Sequence, residues 1–193
     1  MIRTNRSNLT NFIILIIVIC QTIGRICYGI IHFNNTNGLQ ENFVFSFAEN
    51  TQQEILVGTV GGVNIINTAG DIRNCDYIPS QFNIAFRSIL ANKNEEWFGS
   101  ASDGLYKYQN KSITNFNLEN GLTFNSIMSM YSDRENNLWM GTDGSGVYKY
   151  LGEQFISYSK SNGLPENYVN AVAQDSKGVY WVALRNSGLS KIE

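Results

Sequence analysis

Proline and histidine are almost missing from this chain: there are two prolines and one histidine in 193 residues, with three cysteines. The lone His32 has no serine or cysteine partner in any recognisable pattern, so nucleophilic catalysis has no constellation to work with. Cys20 and Cys27 lie in an apolar N-terminal stretch and Cys75 stands alone in the remainder, so a chain that loses that stretch can form no intramolecular disulfide framework. Charge is scarce as well. Only 16% of residues are charged, the formal net charge is −2, and no basic run exists, which excludes nucleic acid as a partner. No residue set calls for a metal or other cofactor. Asp143-Gly144-Ser145-Gly146 has too few oxygen ligands for a calcium loop.

Long apolar runs are lacking too. The run at residues 12–20 is nine residues long, against the roughly 20 that a membrane helix needs. With Arg3 and Arg6 ahead of it, the segment reads as a secretory signal peptide over residues 1–29. Extending it through Ile31 would make an anchor with Arg25 inside, which is costly. The expectation is therefore a periplasmic or extracytoplasmic protein that touches membrane only through this segment or a further downstream part.

What remains is rich in glycine and apolar residues, with 17 glycines and 43% hydrophobic content, ample for a packed core. Gly62, Gly104, Gly146 and Gly188 are spaced 42 apart, each followed by valine or leucine. Asn42, Asn83, Asn125 and Asn167 each precede Gly58, Gly99, Gly141 and Ala183 by 16 residues, and Leu56, Trp97, Trp139 and Trp181 stand two positions before those. A period near 40 with glycine and aromatic markers indicates propeller blades.

The third copy shows the plan of one blade. Asn120-Gly121-Leu122 is a turn, residues 126–132 a strand, residues 133–137 a polar tip and residues 138–142 a second strand. Asp143-Gly144-Ser145-Gly146 turns the chain into a third strand at residues 147–150 and a fourth at residues 154–158. Val57, Phe98, Met140 and Val182 lie opposite Leu56 and the tryptophans, so the second strand is apolar on both faces and must be covered by a neighbour on each side. The predicted fold is all-β: a partial β-propeller of four tandem four-stranded blades over residues 30–193. The blades fall at about 40–78, 82–119, 124–160 and 166–193, with residues 30–34 as a lone fourth strand. That strand could close a four-bladed ring or complete a blade of a longer propeller; an open arc is the favoured form.

The third copy, NGLTFNSIMSMYSDRENNLWMGTDGSGVYKY, and the fourth, NGLPENYVNAVAQDSKGVYWVALRNSGLSKI, resemble the two-component regulator propeller repeat. The resemblance covers residues from about 33 onward. The second copy departs from it, with Pro79-Ser80 for the Gly-Leu turn and Ala91 where later copies have Asp133 and Asp175. The resemblance implies the extracytoplasmic sensor region of a hybrid sensor histidine kinase, in a family whose members often detect oligosaccharides. It implies no kinase in these residues, and family sensors carry more than four repeats. The alternatives are a fragment of a propeller lyase or glycosidase and a stand-alone interaction module. Expected partners are a small-molecule or oligosaccharide ligand and further blades or self-association.

Alternating strand direction puts the Asn-Gly-Leu turns and the glycine turns on one face, and the tips near Thr51, Lys93, Arg134 and Lys177 on the other. Repeating asparagines, glycines and tryptophans are assigned to turns and inter-blade core. Loops that differ between copies are the ligand candidates, which singles out Asp103, Asp143, Arg185 and Asn186 on the first face.

Overall fold

A computed structural model describes residues 30–78, 84–120, 122–152 and 154–192. The signal-peptide expectation therefore lies outside the described residues, as does the Pro79-Ser80 departure. The first sheet comprises β1 (Val44–Glu49), β2 (Ile55–Thr59), β3 (Gly62–Ile66) and β4 (Ile72–Asn74). The second comprises β5 (Phe86–Ala91), β6 (Glu96–Ser100), β7 (Leu105–Gln109) and β8 (Ser112–Phe116). The third runs β9 (Ile127–Ser132), β10 (Leu138–Thr142), β11 (Val147–Tyr150) and β12 (Phe155–Tyr158). The fourth has β13 (Val169–Gln174), β14 (Tyr180–Leu184) and β15 (Leu189–Ile192), so it is three-stranded. Each sheet is an antiparallel meander in chain order. Four tandem blades form a partial propeller.

First strands of successive sheets pack on one another, β1 on β5, β5 on β9 and β9 on β13, so they line the inner side of the arc. Second strands pack on the next first strand, and their middle residues are buried on both faces, as at Leu56, Val57, Trp97, Phe98, Trp139 and Met140. The glycine in these strands is sterically required. A Cβ on Gly141 would sit 2.6 Å from a Val169 methyl, and one on Gly99 would sit 2.6 Å from Ile127. Both contacts cross to the following blade, so the missing side chain lets two sheets approach.

The arc is open: no strand of the first sheet packs on the fourth in the manner of adjacent sheets. The exposed indole follows directly. Trp97 and Trp139 are 1% exposed, whereas Trp181 on the last blade is 36% exposed. The lone fourth strand expected at residues 30–34 is not formed, since no third strand pairs with it; Phe33 is buried instead against Leu39, Val44, Val57 and Ile66.

One alignment needs correcting. Ala91 pairs with Glu96 inside β5, as Ser132 pairs with Leu138. The residue that caps the second tip is Asn92, whose Oδ1 accepts the amides of Asn94 and Glu95. Asp133 does the same for Glu135 and Asn137, and Asn50 for Gln52 and Glu54. The second tip is one residue shorter than the third, which hid the equivalence.

Candidate functional site

Repeating polar residues are consumed by the scaffold. Asn120 takes the Asn117 amide on Oδ1 and donates Nδ2 to the Asn115 carbonyl. Asn37 and Asn162 make the same pair of bonds, to Asn34 and His32 and to Ser159 and Ser157. Asp133 is buried and accepts hydrogen bonds from Trp139 Nε1 at 2.9 Å and from the Tyr180 hydroxyl of the next blade at 2.8 Å. Burial opposes its charge, but these bonds and those from Asn137 outweigh it and hold the carboxyl below its usual range. Tyr180 shows the converse: burial, then the Asp133 carboxylate, push its hydroxyl up to about 12. Asp175 repeats the arrangement on the open blade, with Trp181 Nε1 at 2.9 Å lowering its carboxyl.

The four candidate residues separate into two kinds. Asp103 accepts the hydroxyl of the buried Tyr106 and lies 3.5 Å from Asn115 Nδ2, so it is tied into the second blade. Asn186 is tied down as well: its amide and Nδ2 reach the Glu166 carboxylate at 2.9 and 3.2 Å. Burial would raise the Glu166 carboxyl, yet bonds from Ser187 and Asn186 bring it lower. These two residues hold loops. Asp143 and Arg185, by contrast, meet each other across blades. An Arg185 guanidinium nitrogen lies 2.5 Å from Asp143 Oδ1, and Arg87 Nη1 of the second blade lies 3.6 Å from Oδ2. The Arg185 guanidinium also sits 4.8 Å from the centre of the Tyr168 ring, and Tyr168 is 44% exposed.

Three blades thus converge on one carboxylate, at the inner end of the face that carries the Asn-Gly-Leu turns. The repeat defines why these residues meet. Just past the second strand, Val60, Ala101, Asp143 and Arg185 each donate a backbone amide to the residue ahead of the first strand, namely Phe43, Ala85, Ser126 and Tyr168. The backbone is the same in all four places and only the side chains change. Arg87 follows the same logic, because Phe45, Met128 and Asn170 hold its place in the other blades. Arg87, Tyr168 and Glu166 were missed from sequence. Arg87 and Tyr168 stand ahead of or within the first strand, away from the loops where function was sought, but their departure from the other copies was visible.

The opposite face carries an open groove of about 670 Å³ between the tips of the first two blades. Several of its polar side chains are spent on one another: Arg73 with Glu54 at 3.1 Å, Tyr77 with Glu96 at 2.6 Å, and Glu95 with the neighbouring Lys107 at 2.8 Å; Asp76 and Lys93 also line it. Among the described residues no three metal-ligating side chains converge.

The third and fourth copies, at residues 121–144 and 163–186, match the family model described as two component regulator propeller. These are two-component regulator propeller repeats. Two solved structures share the fold closely, both from B. thetaiotaomicron. One is the extracellular domain of a proposed hybrid two-component system, at 24% identity and TM-score 0.70 over 84% of this chain and 23% of that one. The other is the extracellular domain of a proposed one-component system, at 22% identity and TM-score 0.69 over 83% and 23%. The computationally designed protein Ika4 matches at 11% identity and TM-score 0.59 over 80% of this chain and 92% of that one. The chain therefore spans about a quarter of the length of these two extracellular domains. No curated protein matches it.

Proposed function

We propose that this chain is the extracytoplasmic ligand-sensing part of a two-component receptor. It works by binding, and its ligand is a small molecule or oligosaccharide held by Arg87, Asp143, Tyr168 and Arg185. One observation carries the reading: at backbone positions that the repeat makes equivalent, the inner rim of one face carries a different side chain in each blade, with Val60 and Ala101 giving way to the charged Asp143 and Arg185, and Arg87 standing where the other blades have Phe45, Met128 and Asn170. A scaffold needs no such change, whereas a site that reads a ligand does. The repeat family and the extracellular sensors that share the fold support the extracytoplasmic assignment.

The chemistry suits a sugar with a polar or acidic substituent. Two guanidiniums face one carboxylate, leaving donor capacity and a net positive charge, and a guanidinium binds oxyanions through two parallel bonds. The half-exposed Tyr168 ring offers a face on which a sugar ring can stack. The test is a thermal-shift and calorimetric screen with neutral and uronic-acid oligosaccharides on the full chain, Arg185→Ala and Arg73→Ala. Binding should be lost in Arg185→Ala and kept in Arg73→Ala, which alters the opposite groove. The reverse pattern, or no binding by any member of the panel, refutes the reading.

A further inference from the structure

Two of the three junctions between blades follow one plan, and the first departs from it. At the second junction Lys107 Nζ lies 4.9 Å from the centre of the Trp97 ring and 5.8 Å from that of Tyr150, and it pairs with Glu95 at 2.8 Å. At the third, Lys149 Nζ lies 5.0 and 5.7 Å from Trp139 and Tyr180, and 3.8 Å from Asp133 Oδ2. Each of these junctions holds an ammonium against one ring from each blade, beside a carboxylate. The lysine and the tryptophan oppose each other across the second and third strands. The same register in the first blade sets Ile65 opposite Leu56, and both are fully buried. The first junction therefore has neither the indole nor the ammonium.

In their place is the open groove of about 670 Å³ on the face of the tips. Both of its walls belong to the first two blades, so it does not depend on where the chain begins or ends. Tyr77 stacks on Tyr108 with ring centroids 3.9 Å apart, which restores an aromatic pair. The Tyr77 hydroxyl donates to Glu96 Oε2 at 2.6 Å. Glu96 is only 9% exposed, and its other oxygen has no partner among the described residues. No lysine or arginine among those residues pairs with it or lies over either tyrosine ring. A buried carboxylate is ordinarily matched by a cation. Arg73 does not serve, because Glu54 holds it at 3.1 Å. The lining carries four carboxylates against Arg73 and Lys93, and Lys107 offsets one of them, Glu95. The side-chain amides of Gln52, Asn94, Gln109 and Asn110 also line the groove and are not engaged by other described residues.

We infer that this groove binds an amino sugar with a free ammonium group, at a second site on the face opposite Asp143 and Arg185. The ligand's ammonium takes the part that Lys107 and Lys149 play in the other junctions, against the Glu96 carboxylate and beside the Tyr77–Tyr108 pair. The four unengaged amides, each both donor and acceptor, receive the sugar hydroxyls. The groove is of the size that small-ligand sites have. Acetylating the amine removes the charge and leaves Glu96 unmatched, so the site selects the free amine over the acetamido form.

Calorimetric titration of the full chain in mildly acidic buffer tests the inference, with the glucosamine disaccharide of chitosan and its N-acetylated counterpart as probes. The amino form should bind, and the acetylated form should bind about tenfold more weakly or worse, the loss expected when a charged hydrogen bond goes unmade. Glu96→Gln keeps the shape of the side chain and an acceptor for Tyr77, and it should lower affinity for the amino form about tenfold. Asp76→Asn changes an exposed carboxylate, so folding is spared, and it should weaken binding by about threefold. Arg185→Ala alters the opposite face and should bind the amino sugar as the unmodified chain does, whatever becomes of acidic ligands there. Equal affinity for the two sugars, no binding of the amino form, or unchanged affinity in either carboxylate variant overturns the inference.

Discussion

Replacing Trp139 by alanine separates a blade-junction residue from a surface platform. Its indole is 1% exposed, lies between Tyr158 and Tyr180 at ring separations of 5.7 and 4.1 Å, and donates Nε1 to Asp133 at 2.9 Å. Truncating a buried tryptophan costs about 3–5 kcal/mol through lost transfer energy and the cavity left behind. Loss of the aromatic contacts places Trp139 toward the upper end, at roughly 0.5–1.5 kcal/mol per pair. Asp133 keeps Asn137 and Tyr180 as donors, so its carboxylate is not stranded. At about 2–4 °C per kcal/mol for a domain of this size, the melting temperature should fall by on the order of 10 °C. Trp181→Ala, at the half-covered equivalent position, should cost only about 1–2 kcal/mol. Calorimetric or fluorescence melts of the two variants supply the comparison. Equal losses would refute the assignment of the indole to packing between blades, as would an unchanged melt of Trp139→Ala.

Gly141→Ala should destabilise by about 1–3 kcal/mol, because the new methyl would sit 2.6 Å from Val169 and 2.7 Å from Ser129 Oγ; urea unfolding measures it, and a neutral result would mean the sheets are not held this close. Stability should also decline in acid. Asp133 has its folded-state pKa lowered, so its contribution is complete above the unfolded value of about 3.9 and is lost as pH falls through the lower folded value. Melts from pH 6 down to about 2 should show that decline, and Asp133→Asn should flatten it while lowering stability at neutral pH; parallel curves for the two proteins would contradict the role given to the carboxylate. Cys75 is buried and its thiol is pushed up to about 11 by that burial, so native protein at neutral pH should resist maleimide at this residue until unfolded. Mass spectrometry of the exported protein should show loss of about 20–30 N-terminal residues, whereas an intact N-terminus would point to an anchor.

The blade plan was legible in the sequence because it rests on short-range signals that recur. A two-sided apolar strand, a glycine pair at fixed spacing and a tryptophan in register each dictate local structure, and repetition removes the ambiguity any one of them carries. Asn92 escaped because a one-residue change in a tip shifts the local register without disturbing either strand. The candidate site was half legible. Asp143 and Arg185 were found as divergent turn residues, but whether a turn side chain points to a partner or back into its own blade depends on distances between blades. Asp103 and Asn186 looked identical to them in the sequence and are spent on Tyr106 and Glu166. Arg87 needed the alignment of first strands in three dimensions to be seen beside Asp143.

The contacts at Gly99 and Gly141 make each blade a piece with two different sides. One side offers a bare backbone and an indole, and the other offers a branched side chain, Ile127 or Val169, that fits against them. Because the second and third blades carry both sides in the same places, duplication of a whole repeat of this kind rebuilds a junction of a type already present. A gene encoding such a chain can therefore lengthen its arc in steps of about 42 codons while each new junction keeps a packing the fold already uses. Tips absorb a residue more or less, but a change of length inside a second strand would set an indole against a strand that has no room for it.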